Sequence, residues 1–313
     1  MHGARVHDPI VRGLPRAEWP AAPLLHGAAP RSGPRRVLWV GMVDDDELSM
    51  ARSALVRLTG CAVTRLASPA AGLTVRRRDS GSAGSLPPLD CILLAVDRPG
   101  RWSTEDALAL AQAFPLTPIF AIASSLCDGR RRSGPPLPGI EELPWHDAAG
   151  RLARWFFDLD AGLPGSLGLA PTVRREDRFL EAPTFQPHSR PAAGQAPVTV
   201  AARTALDLDG LADLLAAAGH PIVQRTLGRP ELSPPGRLVV WDAGRLDGAD
   251  LEWLRLLVAN RPSVAVVVLD SFPRGDSGRG VLRAGGAALL GRPVALEVLA
   301  GTLRGLAAVT SVV

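Results

Sequence analysis

Three consecutive aspartates, Asp44–Asp46, follow the apolar run VLWVGMV at residues 37–43. Carboxylate oxygens are the hard ligands that Mg²⁺ prefers, so Asp45 and Asp46 are the candidate ligands if the chain binds a metal. Carboxylates at a helix start also interact favourably with the helix macrodipole. A helical spacing of apolar residues begins at Leu48, so a helix start is the favoured interpretation and we expect no metal site.

The other residue types that could carry chemistry exclude several kinds of catalysis. All 35 basic residues are arginine, and without lysine neither Schiff-base chemistry nor a P-loop lysine is available. The three cysteines lack metal-ligand spacing, and the six histidines have no nucleophile or acid at catalytic spacing. The glycine-rich stretch at 278–286 lacks the strand–turn–helix context of a dinucleotide site. We therefore expect a protein that is not an enzyme and has no cofactor.

Short apolar runs alternate with helical patterns in both halves of the chain. The predicted strands of the first half are residues 37–43, 61–66, 91–96, 118–124 and a short one near 139–143. Those of the second half are 198–202, 221–225, 237–242, 264–270 and 287–290. Strands that alternate with helices at this spacing predict parallel, doubly wound sheets. The predicted fold class is α/β, with two five-stranded parallel-sheet domains in tandem.

The two halves are related as an internal repeat. One constant shift of 147 positions places Ala95 on Asp242 and Trp145 on Arg292. At the first strands the shift is 161, so the first half carries about 14 extra residues, where the polar loop at 76–88 lies. Duplication of one α/β unit explains this agreement better than coincidence.

Composition sets the expected domain boundaries. Residues 1–35 are rich in Pro, Gly, Ala and Arg without periodicity, which predicts a disordered basic tail. Residues 161–196 return to this composition and predict a flexible linker. The expected domains are therefore 36–160 and 197–313.

The net charge of +4 lies at the amino terminus, because the charges of the remaining chain cancel. A nucleic-acid-binding domain usually carries its basic excess on one folded face, so we expect no nucleic-acid partner. No apolar stretch of about 18 residues could span a bilayer, and the amino terminus has no continuous signal-peptide core. We expect a cytoplasmic protein with no membrane partner.

The second half resembles the receiver domain of bacterial two-component response regulators over most of residues 198–308. The stretch VLRAGGAALLGRPVALEVLAGTL (281–303) is similar to the family's approach to its fifth strand and last helix. RLVVWDAG (237–244) is similar to the third strand, which places Asp242 at the phospho-accepting position. The resemblance implies a flavodoxin/CheY-like domain.

The first half is similar to the same family over about residues 36–160. VDDDE (43–47) matches the acidic pair after strand one, and LDCILLAVDRPG (89–100) matches the third strand and the loop after it. The resemblance therefore implies two receiver-like domains in tandem.

The family's phosphoryl transfer needs an aspartate nucleophile and acids that hold Mg²⁺. It also uses a lysine after strand five and a Thr or Ser after strand four. In the first half, two of Asp44–Asp46 could supply the acids, but Ala95 stands at the nucleophile position and Trp145 at the lysine position. Asp97 is expected on the loop beyond. These departures imply a pseudo-receiver.

The second half departs from the pattern in the complementary way. Asp242 is present, but Arg203 lies where the acids should stand and Arg292 takes the lysine position. Asp270 or Ser271 falls at the Thr/Ser position. We expect Asp242 to be an ion-paired carboxylate with a lowered pKa rather than a phospho-acceptor. Mg²⁺ is an expected cofactor only under the alternative that Asp242 accepts a phosphoryl group.

The helix predicted after His146 suggests a contact surface. Apolar residues at helical spacing share one face of this helix, namely Leu152, Trp155, Phe156 and Leu159. Phe157 lies on a different face. An exposed Phe157 would bind a partner or the other domain, and a Phe157 packed under the linker is the alternative.

The leading functional hypothesis is a non-enzymatic signalling or scaffold protein of two pseudo-receiver domains that acts by protein–protein interaction without phosphorylation. The expected partner is a protein such as a histidine kinase or another regulator, and self-association stays open. One alternative is a response regulator of a phosphorelay that accepts a phosphoryl group on Asp242. Another is a small-molecule-binding α/β protein that uses the crevice at the carboxyl ends of its strands.

Overall fold

The computed structural model describes residues 33–41, 44–71, 89–128, 137, 139–163, 167 and 195–310. Within them the chain forms two five-stranded sheets in which all neighbouring strands are parallel. Helices flank both sheets, and both sheets belong to the same compact unit. The predicted fold class is confirmed. The loop at 76–88, most of the expected tail 1–35 and most of the expected linker 161–196 lie outside the described residues.

The first sheet has the strand order β2-β1-β3-β4-β5. Its strands are β1 (Arg36–Val40), β2 (Ala62–Leu66), β3 (Cys91–Val96), β4 (Ile119–Ala123) and β5 (Glu141–Pro144). Its helices are α1 (Asp46–Thr59), α2 (Thr104–Ala113) and α3 (Trp145–Asp160). All six residues of the central strand β3 are buried, because helices cover both faces of a parallel sheet.

The second sheet repeats this order. Its strands are β6 (Val198–Ala202), β7 (Ile222–Leu227), β8 (Leu238–Gly244), β9 (Ala265–Asp270) and β10 (Ala288–Gly291), and their order is β7-β6-β8-β9-β10. Its helices are α4 (Ala205–Ala217), α5 (Gly248–Asn260), α6 (Gly275–Arg283) and α7 (Leu296–Thr310). Residues 228–237 join β7 to β8 without a helix.

Short polar side chains begin four of the helices. Asp45, Ser103, Thr204 and Asp247 each accept a hydrogen bond from a backbone N–H in the first turn of the helix that follows. Such caps satisfy amide groups that have no partner within the helix. They fix where α1, α2, α4 and α5 begin after the preceding strands.

The two halves meet along a seam, in which α1 and α3 of the first half pack on α6, β10 and α7 of the second. Helices α3 and α7 cross where Gly150 faces Gly301. A Cβ added to Gly301 would lie 1.9 Å from the carbonyl oxygen of Gly150, and one added to Gly150 would lie 2.3 Å from Oγ1 of Thr302. The two helix backbones are therefore in contact, which only residues without side chains permit.

The buried face of α3 differs from the predicted one at its end. Leu152, Trp155 and Phe156 are buried as predicted, but Leu159 in the last turn is 39% exposed. The apolar stripe therefore ends about one turn before the helix does. Among the described helices, none is long and apolar enough to cross a membrane.

Candidate functional site

The parallel strands of the second sheet bring their carboxyl ends to one edge, as expected for a doubly wound sheet. Arg203 follows β6, Asp242 lies near the end of β8, Asp270 ends β9 and Arg292 follows β10. Ser271 follows Asp270, and its backbone N–H donates to the carbonyl oxygen of Gly244 at 2.6 Å. The structure thus places all of the residues predicted for the degenerate site at this edge, which we call the carboxyl edge of the second sheet.

Asp242 is held by one arginine and one backbone amide. Its Oδ2 lies 3.1 Å from Nε of Arg292, and its Oδ1 accepts a hydrogen bond of 2.9 Å from the N–H of Gly244. Nη2 of Arg292 also donates to Oδ1 of Asp207 in α4 at 2.5 Å. A single guanidinium therefore bridges two carboxylates at the carboxyl edge of the second sheet.

The pKa of Asp242 is raised above its ordinary value, whereas the sequence analysis predicted a lowered pKa, and that prediction was wrong. Burial of the carboxylate is the main cause, because the carboxylate is largely removed from water. The hydrogen bond from Gly244 and the charge of Arg292 act in the opposite direction without reversing the shift. The ion pair that we expected is present, but it does not offset the cost of burial.

Arg203 forms an ion pair with a different carboxylate from the expected one. Its Nη2 donates to Oδ2 of Asp250 at 2.5 Å, and Nε of Arg229 donates to the other oxygen of Asp250 at 2.9 Å. A Cβ added to Gly244 would lie 3.5 Å from Cδ of Arg203 and 3.7 Å from Nη1 of Arg292. Both arginines therefore flank Gly244, although only Arg292 contacts Asp242.

Sequence analysis missed Asp250, which is 1% exposed. A usable signal was present, because Asp247 and Asp250 form a capping box at the start of α5. That pattern predicts a helix start. It does not predict that Arg203 and Arg229, in the loops after β6 and β7, contact Asp250.

Asp270 and Ser271 form the turn after β9. Oδ1 of Asp270 accepts a hydrogen bond of 3.3 Å from the backbone N–H of Phe272. Asp270 is buried and Ser271 is partly buried. Their hydrogen bonds are those of a turn.

The charges at this edge do not suit a Mg²⁺ site. Magnesium requires several oxygen ligands around one point. Here Asp207 and Asp242 both contact Arg292, Asp250 contacts Arg203 and Arg229, and the loop after β6 supplies a cation instead of an acid. In the described part of the chain, no group of three or more His, Cys, Asp or Glu side chains is arranged to hold a metal ion.

The three aspartates of the first half have separate positions. Asp44 is exposed, and Asp45 caps α1 by accepting a 3.0 Å hydrogen bond from the N–H of Leu48. Asp46 forms an ion pair with Arg279 of α6, across the seam. Asp45 therefore caps a helix, which is the interpretation that the sequence favoured. Asp46 instead contacts an arginine of the second half and does not form an acidic pair with Asp45.

Glu47 is the buried acid of this region, and sequence analysis did not identify it as a site residue. Its carboxylate accepts hydrogen bonds from Ser125 N at 2.6 Å, from Ser125 Oγ at 2.8 Å and from Gly275 N at 2.7 Å. Ser125 follows β4, and Gly275 begins α6 of the second half. Glu47 precedes Ala51 and Leu55 by four and eight residues, and this helical spacing was the available signal that it faces inward.

At the positions that the resemblance matches to the receiver nucleophile and lysine, the first half has the buried residues Ala95 and Trp145. Ala95 is fully buried, and its carbonyl oxygen accepts a 2.8 Å hydrogen bond from the indole N–H of Trp102. Trp145 begins α3, and Gly278 of α6 packs against its ring. The side chain of Asp97 lies 3.7 Å from the nearest guanidinium nitrogens of Arg98 and Arg101. No nucleophilic side chain stands at the Ala95 position.

Phe157 is half-buried in the seam rather than free on the surface. The guanidinium of Arg304 in α7 lies 3.2 Å from the centre of its ring, and that of Arg154 lies at 6.0 Å. The sequence left open whether Phe157 contacts a partner protein or the other domain. In the structure it contacts the other half of the same chain. The residue is therefore a poor candidate for binding a second protein.

No known protein family matches this sequence, and no curated protein is significantly similar to it. A solved Burkholderia pseudomallei protein described as related to pilus assembly has 25% sequence identity and a TM-score of 0.34, over 37% of this chain and 92% of that chain. A protein described as a two-component response regulator with a GGDEF domain has 14% identity and a TM-score of 0.32, over 88% and 99% of the two chains.

Part of Escherichia coli RcsC that contains a phosphoreceiver domain is also similar in structure. Its identity is 14% and its TM-score is 0.28, over 87% of this chain and 93% of that chain. Response-regulator receiver structures are therefore among those that resemble this chain. All three TM-scores are below 0.5, so these similarities assign no function to it.

Proposed function

We propose that this chain is a non-enzymatic signalling or scaffold protein whose two halves are pseudo-receivers, and that it acts by protein–protein interaction without being phosphorylated. The observation that carries this proposal is the contact of Arg292 with Asp242 and Asp207. A protein side chain supplies the positive charge at Asp242, which the resemblance places at the phospho-accepting position. The partner that we propose is another signalling protein, such as a histidine kinase or a regulator.

Electrostatics supports the absence of phosphoryl transfer at Asp242. The carboxylate and a phosphodonor are both anionic, and two like charges about 4 Å apart repel by about 4 kcal/mol at an effective dielectric constant of 20. A divalent cation normally neutralises this charge. Arg292 is instead held by two carboxylates, and a fixed contact of this kind stabilises the resting state as well as any transition state.

The seam supports a scaffold whose halves keep one arrangement. Glu47 contacts Gly275, Asp46 contacts Arg279 and Gly150 contacts Gly301, each across the two halves. The carboxyl edge of the first sheet is therefore engaged by α6 of the second half. Such a molecule presents its outer surfaces to a partner in a fixed geometry.

Tryptophan fluorescence tests the proposal. Trp241 precedes Asp242 and is 1% exposed, so a structural response to a bound phosphoryl analogue at Asp242 changes its surroundings. We expect no saturable change when Mg²⁺ and beryllofluoride are added to the full chain. A saturable, Mg²⁺-dependent change in the wild type that is absent in Asp242→Asn would overturn the proposal in favour of a phospho-accepting regulator.

A further inference from the structure

A small cavity that opens to solvent lies in the seam between the two halves, with a volume of about 60 Å³ inside and about 540 Å³ when the open space at its mouth is counted. Helices α1 and α3 form one side, and α6, β10 and α7 form the other. The walls are mainly apolar, and the large side chains among them are Met50, Leu58, Trp145, Leu282, Leu289 and Leu290. A small molecule would therefore place part of its apolar body in the cavity and the rest in the open mouth.

The fixed charge in the lining of the cavity is positive. Arg57 of α1 lines the cavity, and its guanidinium reaches across the seam to donate to the carbonyl oxygen of Ala287. No carboxylate of the described residues pairs with Arg57, and none of the described residues that line the cavity is acidic. His146 also lines it, with Nδ1 2.9 Å from a carboxylate oxygen of Asp147.

Two other arginines of the seam have a carboxylate partner, which Arg57 lacks among the described residues. Arg279 pairs with Asp46, and Arg274 lies 3.7 Å from Asp128. Arg57 is solvent-exposed at the cavity mouth, although neighbouring atoms desolvate its guanidinium enough to lower its pKa. An anion beside the guanidinium would form a charge-assisted hydrogen bond that no described carboxylate supplies.

We propose that the seam cavity binds a small organic anion, with its apolar body between α1 and the second half and its carboxylate, sulfonate or phosphate group on Arg57. This goes beyond the scaffold function proposed above, because it assigns the chain a ligand. The ligand would contact both halves at once. Binding to the folded chain alone stabilises that state by mass action, so the ligand would strengthen the seam.

Two fluorescent probes that differ by one charged group test the proposal on the full chain. The probes are 8-anilinonaphthalene-1-sulfonate and its uncharged relative N-phenyl-1-naphthylamine. We expect the wild type to bind the sulfonate more tightly than the uncharged probe. Arg57→Gln should weaken sulfonate binding about tenfold, as the loss of one charge-assisted hydrogen bond predicts, and should leave binding of the uncharged probe unchanged.

Arg52→Gln is the matched control, because Arg52 lies on the same helix with its guanidinium 5.7 Å from the ring centre of Trp39, away from the cavity. It should bind both probes as the wild type does. Ala54→Trp fills the cavity and should weaken both probes. Equal sulfonate affinity in the Arg57 and Arg52 variants would overturn the proposal, and so would a folded Ala54→Trp protein that binds both probes normally. If Ala54→Trp does not fold, the comparison of the two arginine variants decides.

Discussion

Asp242 keeps a raised pKa although Arg292 lies 3.1 Å away. Burial is the largest cause, and the nearby carboxylate of Asp207, which shares Arg292 with Asp242, also raises the pKa. A carboxyl group with a raised pKa holds its proton more tightly in the folded state than in the unfolded chain. Its ionisation as the pH rises therefore lowers the free energy of unfolding.

Replacing Asp242 by Asn should stabilise the protein at pH 7, because the amide resembles the protonated carboxyl and cannot ionise. The gain should shrink as the pH falls to about 4 and below, where the wild-type carboxyl is itself protonated. Thermal unfolding of both proteins at several pH values measures this. A variant that unfolds at a lower temperature than the wild type at pH 7 would show that the ion pair stabilises the fold on balance.

At the scale of elements, Glu47 joins the loop after β4 to the first turn of α6. Glu47→Ala should lower the free energy of unfolding by about 2–3 kcal/mol, because it leaves the partly buried amides of Ser125 and Gly275 without their acceptor. Asp46→Asn is the control, since its ion pair with Arg279 is solvent-exposed and such pairs contribute at most about 1 kcal/mol. Urea unfolding compares the two variants. Equal losses would contradict the role assigned to Glu47.

The crossing of α3 and α7 gives a second prediction at this scale. Gly301→Ala should destabilise the chain by about 1–3 kcal/mol, because the added methyl group overlaps the backbone of Gly150. Gly210→Ala should instead be neutral or stabilising by up to about 1 kcal/mol, since Gly210 is exposed on α4 with no atom within 4 Å of an added Cβ. Denaturant midpoints of the two variants separate packing from helix propensity. Similar shifts in both would show that the helices do not meet at Gly301.

The sequence predicted the strands well, because parallel strands buried on both faces are continuous apolar runs. Residues 91–96 and 198–202 were predicted with the observed bounds. The contacts of Glu47 and Gly301 were not predictable in this way. They depend on how the two halves dock, and local periodicity carries no information about partners that lie more than 100 residues away.

At the scale of the whole molecule, the two halves that we propose to be pseudo-receivers depart from the receiver pattern in different ways. The first has acidic side chains at the edge of its sheet but Ala95 in place of a nucleophile, and its Glu47 is engaged by the second half. The second keeps Asp242 but has arginines where a cation would lie. The internal repeat predicted this complementary pattern from residue identities. The pairing of Arg203 with Asp250, and of Arg292 with two carboxylates, required the structure.

The direct test of the account is the mass of the intact full chain after incubation with acetyl phosphate and Mg²⁺. We expect the mass of the wild type to stay unchanged, because neither half, in the part of the chain that the structure describes, combines a nucleophilic aspartate with acids that could hold the metal. Asp242→Asn treated in the same way is the control and should give the same unchanged mass. An acid-stable or acid-labile adduct with the mass of one phosphoryl group, present in the wild type and absent from Asp242→Asn, would contradict the account.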